Sequence, residues 1–214
     1  MLFNSFLESV VKIKHLELSG EDSHVKMSPP YRLELAEQMK TKSETARRAG
    51  VMALFYPNST NETMLVLILR KTYKGVHSAQ VGFPGGKYEE EDCNDLMRTA
   101  IRETEEEIGV NRWDFKVLKT MSPLYIPPSN FMVHPFIGIS EQHLTFVKQD
   151  EEVEDIIEVK LVDFLNDHNT ITATVPTSFD VDVDVPAFVL NGHIVWGATA
   201  MMLGEIKDLL KQVL

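Results

Sequence analysis

Phe3, Phe6, Leu7, Val10 and Val11 recur at spacings of three and four, so residues 3–14 are predicted to form an amphipathic helix. Ser28-Pro29-Pro30 interrupts regular structure, because two prolines remove two backbone donors and bias their neighbours out of the helical region. A second helix is expected over residues 34–39. Residues 51–56 and 64–69 then read as strands, the second apolar throughout, as in a strand buried on both faces. Pro57-Asn58-Ser59-Thr60-Asn61 between them predicts a hairpin. Residues 83–86 read as a loop. Helical spacing returns with Leu96, Met97, Ala100, Ile101, Thr104 and Ile108 on one arc, a helix that Asp92 can cap, with Asp95 three residues on. Strands are expected near 115–120 and 131–139. Residues 150–158 are strongly acidic and 159–164 are mixed apolar. Residues 188–196 form a hairpin signal around Asn191-Gly192, which suits a type I′ turn. A last helix is expected from about 199 to 210. Strands, helix, strands, helix in that order predict an α/β fold, a sheet flanked by helices. Residues 1–45 are read as a helical extension packed on a domain of residues 46–214.

The chemistry concentrates on the central helix. Glu103, Glu106 and Glu107 stand at i, i+3 and i+4 and share one face, with Glu103 and Glu107 at the edge of the apolar arc and Glu106 further round. Acids that close repel one another, and more so when shielded from water. A bound cation removes that cost, and oxygen donors alone suit Mg²⁺, Mn²⁺ or Ca²⁺ rather than Zn²⁺. Acidic runs are ordinarily solvated helix faces. This one differs in its frame: Gly85 and Gly86 before it, Gly109 after it, and Arg102 directly ahead of the first glutamate.

Composition narrows the function classes. A net charge of −11 over 214 residues argues against nucleic acid and anionic membranes as partners, since both need a positive surface. An anionic small molecule would need local neutralisation by metal and by placed cations, for which Arg70, Lys71, Lys74 and Lys87 are candidates. No run of eighteen apolar residues predicts a membrane span. The first residues read as a helix rather than a signal peptide, and Lys211-Gln212-Val213-Leu214 is not a Ser-Lys-Leu address. With Cys93 as the one cysteine, a reducing, cytoplasmic setting is the expectation. Asn58-Ser59-Thr60 and Asn61-Glu62-Thr63 match a glycosylation pattern but read as turn residues.

Gly86 followed by Arg102-Glu103-Thr104-Glu105-Glu106-Glu107-Ile108-Gly109-Val110 resembles the Nudix box, the signature of hydrolases that cleave nucleoside diphosphates linked to another group. The second half fits closely, with Thr104 in an apolar slot. Fifteen residues separate Gly86 from Arg102, two more than in the usual box, which lengthens the loop around residues 88–92. Asp92 is the first counterpart of the box's early glutamate, with Glu90 and Glu91 as alternatives. The resemblance implies a Nudix-type α/β/α sandwich around a mixed sheet and a need for Mg²⁺ or Mn²⁺. Glu103, Glu106 and Glu107 would be metal-binding acids, joined by the Gly86 carbonyl. Arg102 would position a catalytic glutamate, and Glu103 or a neighbour would serve as base. A further acid from outside the box is expected at Glu152, with Glu151 and Glu154 as alternatives.

Leu69-Arg70 through His77-Ser78-Ala79-Gln80-Val81-Gly82-Phe83-Pro84-Gly85-Gly86 is similar to the stretch upstream of the box in coenzyme A pyrophosphatases. Gly75 and Ala79 stand where that signature has an arginine and a glycine, and Lys74 is the adjacent cation. The resemblance implies cleavage of coenzyme A to 3′,5′-ADP and 4′-phosphopantetheine. The 3′-phosphate of coenzyme A would need cations, for which Arg70, Lys71 and Lys74 are the candidates; His77 is a weaker contact, and Tyr125, Phe131 and Met132 would line a pantetheine channel. It also implies a possible homodimer, with the N-terminal helix packing on its own domain or on a second subunit. The alternatives are a Nudix hydrolase of ADP-ribose, NADH or a dinucleoside polyphosphate, and a domain that binds a nucleotide metabolite without cleaving it. The complete acid set argues against the last.

Overall fold

A computed structural model describes residues 1–39, 43–72, 80–176 and 182–214. Its helices are α1 (Phe3–Val10), α2 (Glu21–His24), α3 (Arg32–Gln38), α4 (Leu96–Ile108), α5 (Leu161–Leu165) and α6 (Gly197–Leu210). Its strands are β1 (Arg47–Pro57), β2 (Thr63–Arg70), β3 (Val81–Gly82), β4 (Gly85–Lys87), β5 (Lys116–Thr120), β6 (Leu124–Ile126), β7 (Phe131–Ile139), β8 (Val153–Lys160), β9 (Thr170–Pro176), β10 (Asp182–Leu190) and β11 (His193–Trp196).

β1 and β2 are apolar on both faces, and the layers follow from that. Met52, Leu54, Tyr56, Val66 and Ile68 pack with Ala100 and Ile108 of α4. The alternate residues Ala53, Phe55, Leu65 and Leu67 pack with Phe3 and Phe6 of α1 and with Leu203, Ile206 and Leu210 of α6. Alternation of side chains along a strand thus sends one set to each helical layer. The sheet is mixed: β7 runs parallel to β1 from Arg47–Phe131 to Phe55–Ile139, and β2 is antiparallel to it. β9, β10 and β11 form a separate three-stranded sheet. Asn191 and Gly192 turn its last hairpin with φ of 46° and 81°, as their type I′ chemistry predicts.

β1 and β2 pair only from Leu54–Val66 to Pro57–Thr63 and then part. The chain from Val81 to Lys87 fills the fork. β3 pairs with β2 at Ile68–Gly82, β4 pairs with β1 at Val51–Gly85, and the Met52 amide donates to the Pro84 carbonyl at 2.9 Å. Residues 83–86, expected as a loop, are therefore held inside the sheet. The reason is that parted strands leave buried donors and acceptors that need partners. Across this fork lies α4, which approaches so closely that a Cβ at Gly50 would stand 2.3 Å from the Leu96 carbonyl oxygen.

One further expectation is corrected, and one element appears that the sequence reading did not assign. The cap of α4 is Asp95, whose carboxylate accepts from the Met97 amide at 2.9 Å. Asp92 is buried one turn earlier and engaged elsewhere. The acidic stretch 150–158 contains β8, which pairs with β2 along its length. Val153, Ile157 and Val159 face inward while Glu154, Asp155 and Glu158 face out. The density of carboxylates hid this period, and β9 had no expectation at all.

The N-terminal segment is fastened at both ends. The Phe6 ring lies 5.4 Å from that of Phe55, and the Phe3 amide donates to the Asn61 carbonyl at 2.8 Å. The apolar face of α1 is thus spent on its own chain. At the other end, buried Glu205 of α6 accepts from the Gly20 amide at 2.9 Å, the Ser122 hydroxyl at 2.6 Å and the Ser122 amide at 3.2 Å. His24 Nε2 lies 3.4 Å from the same carboxylate. Burial alone would raise the Glu205 pKa, but His24, Ser122 and Gly20 outweigh it and hold the group below the usual carboxylate range. Its stabilising contribution is therefore present above the ordinary glutamate range and is lost as pH falls through the depressed value. We predict that Glu205→Ala costs about 3 kcal/mol or more by chemical denaturation at pH 7, because the donors around it lose a buried partner. The difference between variant and parent should shrink in acid; an undiminished difference would mean that packing, not charge, sets the loss.

Candidate active site

α4 carries the expected acids along its margin, and Arg102 organises them. Its side chain is only 12% exposed. Nε donates to Asp92 Oδ1 at 3.0 Å, Nη2 to Asp92 Oδ2 at 3.1 Å and to the Lys87 carbonyl at 3.2 Å, and Nη1 to Glu103 and Glu106 at 3.0 Å each. The fork-on-fork pairing with Asp92 is the strong geometry for a guanidinium and a carboxylate. Thr99 donates to Asp92 at 2.8 Å, and the Glu89 amide donates to it at 2.9 Å. Burial opposes ionisation of Asp92, but Arg102 and these donors hold it ionised, with a pKa of about 2. Among the three competing acids of the loop, Asp92 is thus the buried one that pairs bidentately with Arg102, while the exposed Glu91 only comes within 3.5 Å of its Nε.

Glu107 is the innermost acid, 2% exposed. It accepts from the Gly85 amide at 2.7 Å and lies 3.4 Å from Arg70. Burial pushes its pKa up to about 8, against the pull of Arg70 and Gly85, and the charges of Glu103 and Glu152 add to the rise. Burial also raises Glu103, opposed by Arg102. A Cβ at Gly86 would stand 2.4 Å from the Glu103 carboxyl group, so glycine here is what admits that group beside the β4 backbone. The segment after α4 returns to the same place: the Val147 amide donates to the Ile108 carbonyl at 3.0 Å and the Gln149 amide to the Glu107 carbonyl at 2.9 Å. That brings Glu152 round. All four glutamates line a cavity of about 1000 Å³ with Gly85, Gly86 and Arg70.

Of the other expected residues, Lys71 donates its amide to the Glu152 carbonyl at 2.9 Å, and it is not on the cavity wall; neither are Glu151 and Glu154. Lys74 and His77 lie outside the described residues. Phe131 lines the cavity, whereas Tyr125 and Met132 do not. Sequence reasoning missed Tyr31, Arg32 and Arg47, which line the same cavity from the N-terminal segment and the start of β1. No local pattern marks them; only the fold brings them there.

A family model described as NUDIX domain matches residues 46–175. The chain belongs to the Nudix hydrolase family. Nudix hydrolases act on small-molecule nucleotide diphosphates and use divalent metal ions. The chain is 31% identical over 163 residues to a Caenorhabditis elegans protein named peroxisomal coenzyme A diphosphatase ndx-8, across 76% of this chain and 68% of that one. It is also 31% identical to an uncharacterized Nudix hydrolase NudL of Yersinia pestis, across 77% and 80%. Among solved structures, a MutT/nudix family protein from Enterococcus faecalis superposes with a TM-score of 0.50 at 15% identity, across 83% of this chain and 70% of that one. It supports the Nudix fold.

The donor set suits the divalent cation that Nudix hydrolases use: carboxylates and backbone carbonyls, with burial raising the pKa of Glu103 and Glu107 and neighbouring glutamates adding to the rise. Among the described residues no three such side chains yet converge into a cage, because Arg102 draws Glu103 and Glu106 and the Gly85 amide holds Glu107. Glu106 is the most exposed of the three, at 56%, and Arg102 Nη1 is its partner at 3.0 Å.

Two predictions follow from this geometry. Gly86→Ala places a methyl group where the Glu103 carboxyl stands, and the flexible glutamate yields. Turnover should fall about a hundredfold with the melting temperature nearly unchanged, as expected when a reacting group is misplaced by an ångström. Undiminished turnover would show that the position of Glu103 is immaterial. For Glu107, the folded-state pKa lies above the unfolded one. Chelator-treated protein should therefore lose stability as pH rises from about 4.5 to 8, by on the order of 3 kcal/mol. Glu107→Gln keeps an acceptor for Gly85, and its melting curves in chelator should lack that decline.

Proposed function

We propose that the chain hydrolyses the diphosphate bond of coenzyme A, releasing 3′,5′-ADP and 4′-phosphopantetheine. The observation that carries this reading is the single cavity in which Glu103, Glu106, Glu107 and Glu152 meet the Gly85-Gly86 backbone beside Arg70. Its volume suits a nucleotide-sized ligand. The run from Arg70 to Phe83-Pro84-Gly85-Gly86 and the likeness to the worm coenzyme A diphosphatase support the substrate.

Glu103, Glu106, Glu107 and the Gly86 carbonyl would hold Mg²⁺ or Mn²⁺, which when bound neutralises diphosphate oxygens and acidifies water. Arg102 positions Glu103 and Glu106, its own orientation fixed by Asp92. Glu107, whose burial favours its protonated form, would have to give up that proton to hold the cation. The attacking water loses its proton to a carboxylate, Glu103 or Glu152, and its oxygen joins phosphorus as the bridging oxygen leaves with the other phosphate. Burial raises the pKa of Glu103, against the pull of Arg102, which suits a group that must accept a proton. Arg70 offers its remaining donors to a phosphate oxygen.

The test is product analysis by chromatography and mass, with Mg²⁺ or Mn²⁺ and, separately, coenzyme A, ADP-ribose, NADH and a dinucleoside polyphosphate. Metal-dependent release of 3′,5′-ADP from coenzyme A should exceed cleavage of the others, and Glu106→Gln should lower it by orders of magnitude while the protein stays folded. Faster cleavage of another compound replaces the substrate and keeps the mechanism. Binding without cleavage of any of them would move the non-hydrolytic reading ahead.

A further inference from the structure

Two arginines in the cavity face no acid among the described residues. Arg32 of α3 donates from Nη2 to the Tyr125 carbonyl. Arg47, which opens β1, donates from Nη2 to the Ser129 carbonyl at 2.9 Å and lies 4.1 Å over the Phe131 ring. Carbonyls and a ring face hold a guanidinium in place without neutralising it. Arg70, Arg98, Arg102 and Arg112 each sit against a carboxylate; among the described residues no ion pair involves Arg32, Arg47 or Arg48, and of these three only Arg32 and Arg47 line the cavity, while Arg48 lies over the Tyr88 ring. Arg32 is also half-buried, and burial works against its charge. A buried, oriented cation without an acid is costly unless an anion joins it.

The same cavity carries the four glutamates, so it has an acidic part and a basic part. The acidic part needs the cleaved diphosphate to arrive with metal. The basic part has donors left for an anion that arrives without one. We propose that Arg32 and Arg47, seated against Tyr125 and Phe131, form a specificity subsite for a substrate phosphate monoester distinct from the diphosphate that is cleaved. This rests on the reading that the cavity takes a nucleoside diphosphate derivative. For coenzyme A the group is the 3′-phosphate of its ribose. Arg70 is occupied with Glu107 and serves the reacting end.

Dephospho-coenzyme A lacks only that phosphate and is the discriminating substrate. With the full chain and Mg²⁺, Arg47→Ala and Arg32→Gln should each raise KM for coenzyme A about tenfold or more, as loss of a charge-assisted hydrogen bond does. Neither should alter kcat or the handling of dephospho-coenzyme A by more than about twofold. Arg47 is exposed, so its variant should fold even where Arg32→Gln does not. Equal losses on both substrates, or no loss, would overturn the subsite. Calorimetry separates its failure from that of the hydrolase reading. 3′,5′-ADP should bind parent protein more tightly than 5′-AMP, and Arg47→Ala should abolish the difference, whether or not turnover is seen. Equal binding of the two by the parent protein would sink the proposal.

Discussion

Carboxylates brought together out of water repel one another, and the cavity end of this protein is built around that repulsion. One guanidinium restrains it. Arg102 links Asp92, Glu103, Glu106 and the Lys87 carbonyl, so it joins the loop after β4 to the acidic margin of α4. An exposed ion pair contributes little to stability. This one is nearly enclosed, it is bidentate on Asp92, and Thr99 and the Glu89 amide satisfy what remains of that carboxylate. The elongated loop at residues 88–92 therefore does not loosen the site: its extra length ends in a buried acid that grips the helix.

The sheet supplies the other half of the geometry. β1 and β2 part, and the backbone of residues 81–87 completes their hydrogen bonding. That insertion aims the Gly85 amide at Glu107 and leaves room at Gly86 for the Glu103 carboxyl. Neither effect involves a side chain on the inserted segment. Backbone amides and missing Cβ atoms do the positioning, and both are fixed by the ladder rather than by flexible rotamers. Burial favours the protonated form of Glu107, and a divalent cation bound beside it would have to displace that proton.

What could be read from the chain alone was what is encoded locally. The acid face of α4 follows from helical spacing, the burial of β2 on both faces from its unbroken apolar run, and the last hairpin from Asn191-Gly192. What could not be read depends on contacts across the chain. Glu90, Glu91 and Asp92 are chemically alike in sequence, and only the reach of Arg102 and Thr99 selects Asp92. β8 escaped because its solvent-facing positions are so densely acidic that its inward valines and isoleucine looked incidental. Arg32 meets Tyr125 across 93 positions, a juxtaposition no window of sequence contains.

The distribution of charge within one cavity also bears on why so acidic a protein binds an anion. Net charge governs approach from afar, and it is screened within about 10 Å at ordinary salt. Inside the cavity only local charge acts. There the chain sets two glutamates, Glu103 and Glu107, whose burial resists ionisation, and two arginines, Arg32 and Arg47, that face no carboxylate among the described residues. Each group is unfavourable by itself. A ligand that brings a metal-neutralised diphosphate to one and a bare phosphate monoester to the other relieves both at once. A ligand lacking either satisfies only half of the cavity. Selectivity then arises from what remains unpaired in the wrong complex, more than from any single contact in the right one.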